Sequence, residues 1–360
     1  MRMMSALVLG ASLAGTAAAD PIVVPTEMCR GYFFVPVSLA AREGYPDDRV
    51  LWFLYDTGAS TTYVDPEAIE RVSGRSMAGL ERVTITGATA GPVNYNRLPA
   101  RLSQLDHLSI ALGREIDGIL AYDGFDDYLV TLDYAAGQIR LDSGRLPRPD
   151  GQTVFSARGP DDRPWLEVEF PNRTRRMLID SGAGATIFAV NDIERYPLTE
   201  PPRPVTAATR FNRMEYRDGS RIDGEVRLGP HILPSPQVED VPQTELIGGE
   251  VMRFFTWTFD FERERVSIEP RTGLAVTFPP EPALGLSFRP VADGLHVEAV
   301  LDGAADGIDI LPGDVITHWN GRPVRARGCD TLAAGEVVTL TRVRGGQSAV
   351  VDVPVVVLVE

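Results

Sequence analysis

Residues 55–61 read YDTGAST and residues 179–185 read IDSGAGA. Each places Asp, a hydroxyl residue, Gly and Ala directly behind an apolar run, Val50–Tyr55 in the first case and Met177–Ile179 in the second. Apolar runs of this length bounded by turn residues read as strands, and the Gly permits a tight turn at each strand end. Asp56 and Asp180 lie 124 residues apart, about the size of a small domain. Either an Asp-Gly turn occurs twice by chance, or each stretch is half of one site.

The surrounding sequence repeats with them. At 62 and 68 residues beyond the two aspartates come Ile-centred turns, IDGIL at 116–120 and ELIGG at 245–249. After these turns, YLVTLDYAAGQIRLD (128–142) and FFTWTFDFERERVSIEP (254–270) each read as apolar strand, Asp-aromatic, turn, apolar strand. Helical periodicity is scarce. Short runs such as Arg82–Thr86, Leu108–Leu112 and Val337–Val343 read as further strands, punctuated by Gly, Pro, Asn and Asp. The expected class is all-β. Polar Pro/Gly-rich bridges at Pro147–Pro164 and Gly273–Ala283 divide the chain near 21–147, 148–272 and 276–360.

Two carboxylates that share one proton can hydrolyse an amide without a metal. The ionised one draws a proton from water while the other donates to the carbonyl oxygen. Thr57 and Ser181 offer hydroxyls able to cross-bond the two turns, and Gly58 and Gly182 let backbone N–H groups approach the carboxylates. These residues resemble the aspartic proteases. DTGAS at 56–60, DSGAG at 180–184 and the two Ile-Gly turns look like two retropepsin-type units in tandem, over roughly residues 30–270. The resemblance implies two β-barrel lobes in a pepsin-like bilobal arrangement, with Asp56 and Asp180 as the catalytic dyad supported by Thr57, Gly58, Ser181 and Gly182. Ala59 and Ala183 follow the DTGA form, which lacks a hydroxyl at that position. Such enzymes close a β-hairpin flap over the substrate. The stretch VTITGATAGPVNY (83–95) is the expected flap, and the matching region near Thr206–Arg213 is less hairpin-like, so one flap is expected.

Residues 284–324 resemble a PDZ domain: GLSF (285–288) stands where that family has its carboxylate loop, and LPGDVITHWNG (311–321) matches its Pro-Gly-Asp…Asn-Gly strand pair. The resemblance implies that Gly285, Leu286, Ser287 and Phe288 form a peptide-binding loop for a protein C-terminus, bordered by a short helix around Cys329–Ala334. A PDZ-like fold that only packs against the rest of the chain is the other reading.

MRMMSALVLGASLAGTAAAD (1–20) has one Arg, a short apolar stretch and Ala17–Ala19, the pattern of a signal peptide over residues 1–19. The chain is therefore expected in the periplasm or secreted, with no membrane span after cleavage. Export permits a Cys29–Cys329 disulfide, and two free thiols are equally open. A formal charge of −15 argues against nucleic acid, and four scattered His with no CxxC argue against a metal site. GAGATI (182–187) belongs to the Asp turn, not to a dinucleotide site, and YDGFDD (122–127) reads as a solvated turn. The combined expectation is an exported, monomeric aspartic endopeptidase acting on peptide or protein substrate without a cofactor. The alternative is a catalytically silent protease-like module that binds peptides or envelope proteins.

Overall fold

The computed structural model describes residues 20–40, 49–210, 213–301 and 307–359. The expected signal peptide at 1–19 lies outside the described residues. Strands dominate, and the α-helices among the described residues are the short segments Pro66–Ser73, Asp106–Leu112 and Gly249–Met252.

Two nine-stranded sheets repeat one topology. In the first, the strand Val50–Asp56 runs parallel to Gly118–Ala121, with Leu120 opposite Tyr55 and Ala121 opposite Asp56. Gly118–Ala121 also pairs antiparallel with Tyr63–Val64, which in turn lies parallel to Leu98–Leu102. In the second, Arg173–Ile179 runs parallel to Leu246–Ile247, which pairs antiparallel with Phe188–Val190, itself parallel to Gln237–Asp240. The repeat explains the apolar run before each Asp. Val50–Asp56 is a central strand, flanked by Tyr32–Leu39 and Gly118–Ala121, and Leu51, Phe53, Leu54 and Tyr55 are all buried. Outer strands alternate instead. In Trp165–Phe170, Trp, Leu, Val and Phe are buried while both Glu are exposed, with Glu167 facing Arg176 across the strand pair.

The two closing segments of the repeat join in a third sheet. The hairpin Leu129–Asp133/Gln138–Asp142 pairs with the hairpin Phe255–Asp260/Arg265–Pro270 through Leu132↔Trp257 and Val130↔Phe259. Ile22–Val24 and Val154–Ser156 complete its two edges. Pro147–Pro164 is therefore more than a polar bridge, since it contributes an edge strand. Trp257 and Phe259 are fully buried in a core that runs from Phe33 and Phe53 to Phe188 and Val226.

The C-terminal sheet has the order Leu286–Val291, Gly294–Val300, Val315–Trp319, Val337–Arg344, Gln347–Pro354. Its core takes in Ile110, from the helix Asp106–Leu112. That helix corrects the strand expected at Leu108–Leu112. Gly113, in the left-handed region at φ 71°, ends it with a backbone bond to Ser109, and the Ser109 hydroxyl takes the Ile116 N–H. Cys29 and Cys329 form a disulfide that ties this sheet to the first. The helix expected around Cys329–Ala334 does not form. Gly328, just before it, sits at φ 80° and donates to the Gly113 carbonyl, and Cys329 is bonded to Cys29, so the segment starts tied to the first repeat and runs on without helical turns. A single 3₁₀ turn, Val324–Ala326, precedes it. Among the described residues no helix is long and apolar enough to cross a membrane.

Candidate active site

Asp56 and Asp180 arrive at one point because each ends a buried strand of one repeat. Their turns interlock. The Thr57 N–H donates to Ser181 Oγ at 3.0 Å, and the Ser181 N–H donates to Thr57 Oγ1 at 3.0 Å. Each hydroxyl then donates onward across the junction, Thr57 Oγ1 to the Ile179 carbonyl at 2.7 Å and Ser181 Oγ to the Tyr55 carbonyl at 2.9 Å. Both side chains are fully buried, so all four bonds are shielded from competing water.

The carboxyls cross over as well. A Cβ placed on Gly58 would lie 2.6 Å from either Asp180 carboxyl oxygen, and one on Gly182 would lie 2.6 Å from Asp56 Oδ1. Each carboxyl thus rests on the other turn's glycine, and the two are hydrogen-bonded to each other. The Gly58 and Ala59 N–H groups donate to Asp56 Oδ1 at 2.8 and 2.9 Å, and the Gly182 N–H donates to Asp180 Oδ1 at 2.8 Å. Both aspartates keep partial solvent contact although they sit deep among protein atoms.

The pair is electrostatically unequal. Burial pushes the Asp56 carboxyl up, and its bond with Asp180, the Gly58 and Ala59 N–H groups and Arg163 pull it back. Asp180 is pushed well above the ordinary carboxylate value by burial and then by the neighbouring Asp56 charge. Both carboxyls are raised, so the pair as a whole favours keeping one proton.

Two neighbours of the dyad carried no sequence signal. Arg163, inside the Pro/Gly-rich stretch, donates from Nη1 to the Gly58 carbonyl at 2.7 Å. Tyr32 lies under the second turn, where its ring fills the space beside Gly184, and burial raises its hydroxyl pKa. A lone Arg or Tyr at these spacings belongs to no periodic pattern.

The expected flap is rearranged. Arg82–Ile85 pairs with Leu98–Leu102, while a separate hairpin, Ala88–Ala90/Val93–Tyr95, pairs with Ser38 and Leu39. Its turn at Gly91 is pressed on Pro25, and Ala88 and Ala90 are fully buried, so 83–95 is not one free hairpin. The longer hairpin is in the second repeat, Arg203–Arg210 with Arg213–Arg221. A cavity of about 850 Å³ opens beside the Asp56 turn, lined by Ser60, Thr62, Tyr95, Asp123 and Phe125. YDGFDD helps build this wall: its Tyr122–Phe125 part is a 3₁₀ turn with Phe125 buried, and not simply a solvated turn.

Gly285, Leu286, Ser287 and Phe288 lie at the start of the edge strand Leu286–Val291. Gly285 takes φ 65° and accepts from the Leu301 N–H, Ser287 is buried, and Phe288 meets the Trp319 ring edge-on. The helix Asp106–Leu112 and the strand Arg203–Arg210 both pack beside this strand. Among the described residues no three His, Cys, Asp or Glu side chains gather as a metal-ligand set. No family model matches the chain, and no curated protein matches it.

Proposed function

We propose that the chain is an exported aspartic endopeptidase of retropepsin-like, bilobal type, with Asp56 and Asp180 as its dyad. The observation that carries this reading is the reciprocal seating of two hydrogen-bonded carboxyls, each over the other turn's glycine. A water between them loses its proton to ionised Asp56 as its oxygen bonds to the scissile carbon. Protonated Asp180 gives its proton to the carbonyl oxygen, leaving a neutral gem-diol. Asp56 then passes its proton to the amide nitrogen, one diol hydroxyl returns a proton to Asp180, and the C–N bond breaks. Every proton is returned, so the dyad ends as it began. The repeat supports a monomer, because one chain supplies both halves. The Cys29–Cys329 bond is in keeping with an exported chain.

For the C-terminal unit we keep the PDZ-like resemblance and favour packing over peptide capture. The chain's own helix Asp106–Leu112 lies against the strand Leu286–Val291, on which a peptide-binding loop would depend. Incubation of the full chain with a diverse peptide pool across pH 3–8 tests the enzymatic reading. Cleavage by wild type and none by Asp180→Asn supports it. Binding of peptides without any cleavage would instead support the silent-module reading.

A further inference from the structure

The two turns of the dyad are nearly symmetric in backbone, yet one side carries a cation. Arg163 Nη1 donates to the Gly58 carbonyl, the peptide group at the heart of the Asp56 turn. Its guanidinium is clamped from behind: Nε and Nη2 bond Asp161 Oδ2 at 3.0 and 2.6 Å, and Asp161 Oδ1 takes the Trp165 indole N–H at 3.0 Å. That clamp holds the Asp161 carboxyl below its ordinary value, so the pair survives mild acid. Trp165 is itself fixed, packed on Gly159 and bonded from its backbone N–H to the Ala157 carbonyl. Among the described residues no guanidinium hydrogen-bonds the Asp180 turn.

Resting on the protease reading above, we propose that Arg163 is the positioning residue that makes the two aspartates unequal. Its fork holds the Asp56 turn and favours the negative charge on Asp56, so that the shared proton stays with Asp180 and the roles of base and acid are assigned before substrate arrives. The other ionisable groups facing Asp56 cannot do this. Asp180 is its partner in the pair, and Tyr32 and Tyr55 are phenols whose pKa values burial raises further. Arg163 is the cation that lowers Asp56.

The test uses the full chain labelled with [¹³Cγ]Asp, the dyad signals being assigned by their loss in Asp56→Asn and Asp180→Asn. In Arg163→Met the lower apparent pKa of the dyad should rise by about 0.5–1 unit, because ionising the neutral pair loses a nearby positive charge. Arg163→Lys, which keeps the charge, should titrate close to wild type. Arg163→Gln can still donate to Gly58 without charge, so it reads the electrostatic effect even if the Met variant fails to fold. The acid limb of peptide cleavage should move in parallel. A folded Met or Gln variant with an unmoved dyad titration overturns the proposal, even if peptides are cleaved. A moved titration with no cleavage by wild type leaves the role of Arg163 standing and sinks the protease reading.

Discussion

Gly58 and Gly182 tolerate no side chain, because the other turn's carboxyl occupies the place a Cβ would need. Backbone at both can be adopted by other residues, so the constraint is close approach and not a left-handed φ. Gly58→Ala should therefore push Asp180 off its seat and remove nearly all cleavage, at least about 10²-fold, since a displacement on the order of 1 Å has that effect at a reacting centre. Steady-state kinetics on a cleaved peptide, with circular dichroism as the folding control, checks this. Asp180 also carries a stability cost. Its folded-state pKa is raised, so the folded protein binds that proton more tightly than the unfolded chain. Stability is lost as pH climbs from the unfolded carboxyl value through the folded one, and below both the penalty vanishes. Asp180→Asn should then raise thermal stability at pH 7, and much less at pH 3. Equal shifts at both pH values would contradict a raised Asp180.

At the level of elements, the junction rests on four buried hydrogen bonds from two hydroxyl residues. Thr57→Val keeps the shape and leaves the Ile179 carbonyl and the Ser181 N–H without their partner. A loss of about 2–4 kcal/mol follows for two buried orphans, read by urea unfolding. A change under about 0.5 kcal/mol would mean the grip is not under load. Much of this arrangement was legible in the sequence. The Asp turns, the Ile-centred partners and the closing hairpins repeat at similar spacings, and the apolar run before each Asp follows directly from a central strand's burial on both faces. What was not legible came from tertiary contact. LSIAL reads as a strand, yet Leu105, Asp106 and Gly113 bracket a short helix whose Ile110 completes another sheet's core. VTITGATAGPVNY reads as one hairpin, yet its first arm finds a better partner in Leu98–Leu102. Arg163 acts through a single carbonyl 105 residues away, a distance at which no local pattern survives.

Across the whole molecule the C-terminal unit is latched to the first repeat in several independent ways. Arg327 donates to the Ile110 and Ala111 carbonyls at the end of the helix Asp106–Leu112. Arg325 forms a two-pronged pair with Asp106, holding that carboxyl below its ordinary value. Cations at a helix C-terminus meet its unpaired carbonyls and favourable dipole end. The disulfide closes a loop of 300 residues, and Cys29 leads through Arg30 and Gly31 to the second Asp turn, where Gly31 abuts the Gly184 carbonyl. The Cys29→Ser/Cys329→Ser double variant should lose about 2–4 kcal/mol of stability. Wild type treated with reductant should lose the same amount, and the variant should not respond to reductant at all. A wild type whose unfolding ignores reductant would contradict the latch.

Dilution gives a further check at this scale: because one chain holds both turns, specific activity should stay constant down to nanomolar enzyme. A steep fall with dissociation in sedimentation would show that two chains are needed. The central claim, that Asp56 and Asp180 act as one unit on one water, is tested most directly by kcat/KM for Asp56→Asn, Asp180→Asn and the double variant on one cleaved peptide. The account predicts that each single variant loses at least about 10³-fold and that the double loses scarcely more, since members of a catalytic unit are non-additive. A correctly folded single variant that keeps substantial turnover would contradict it.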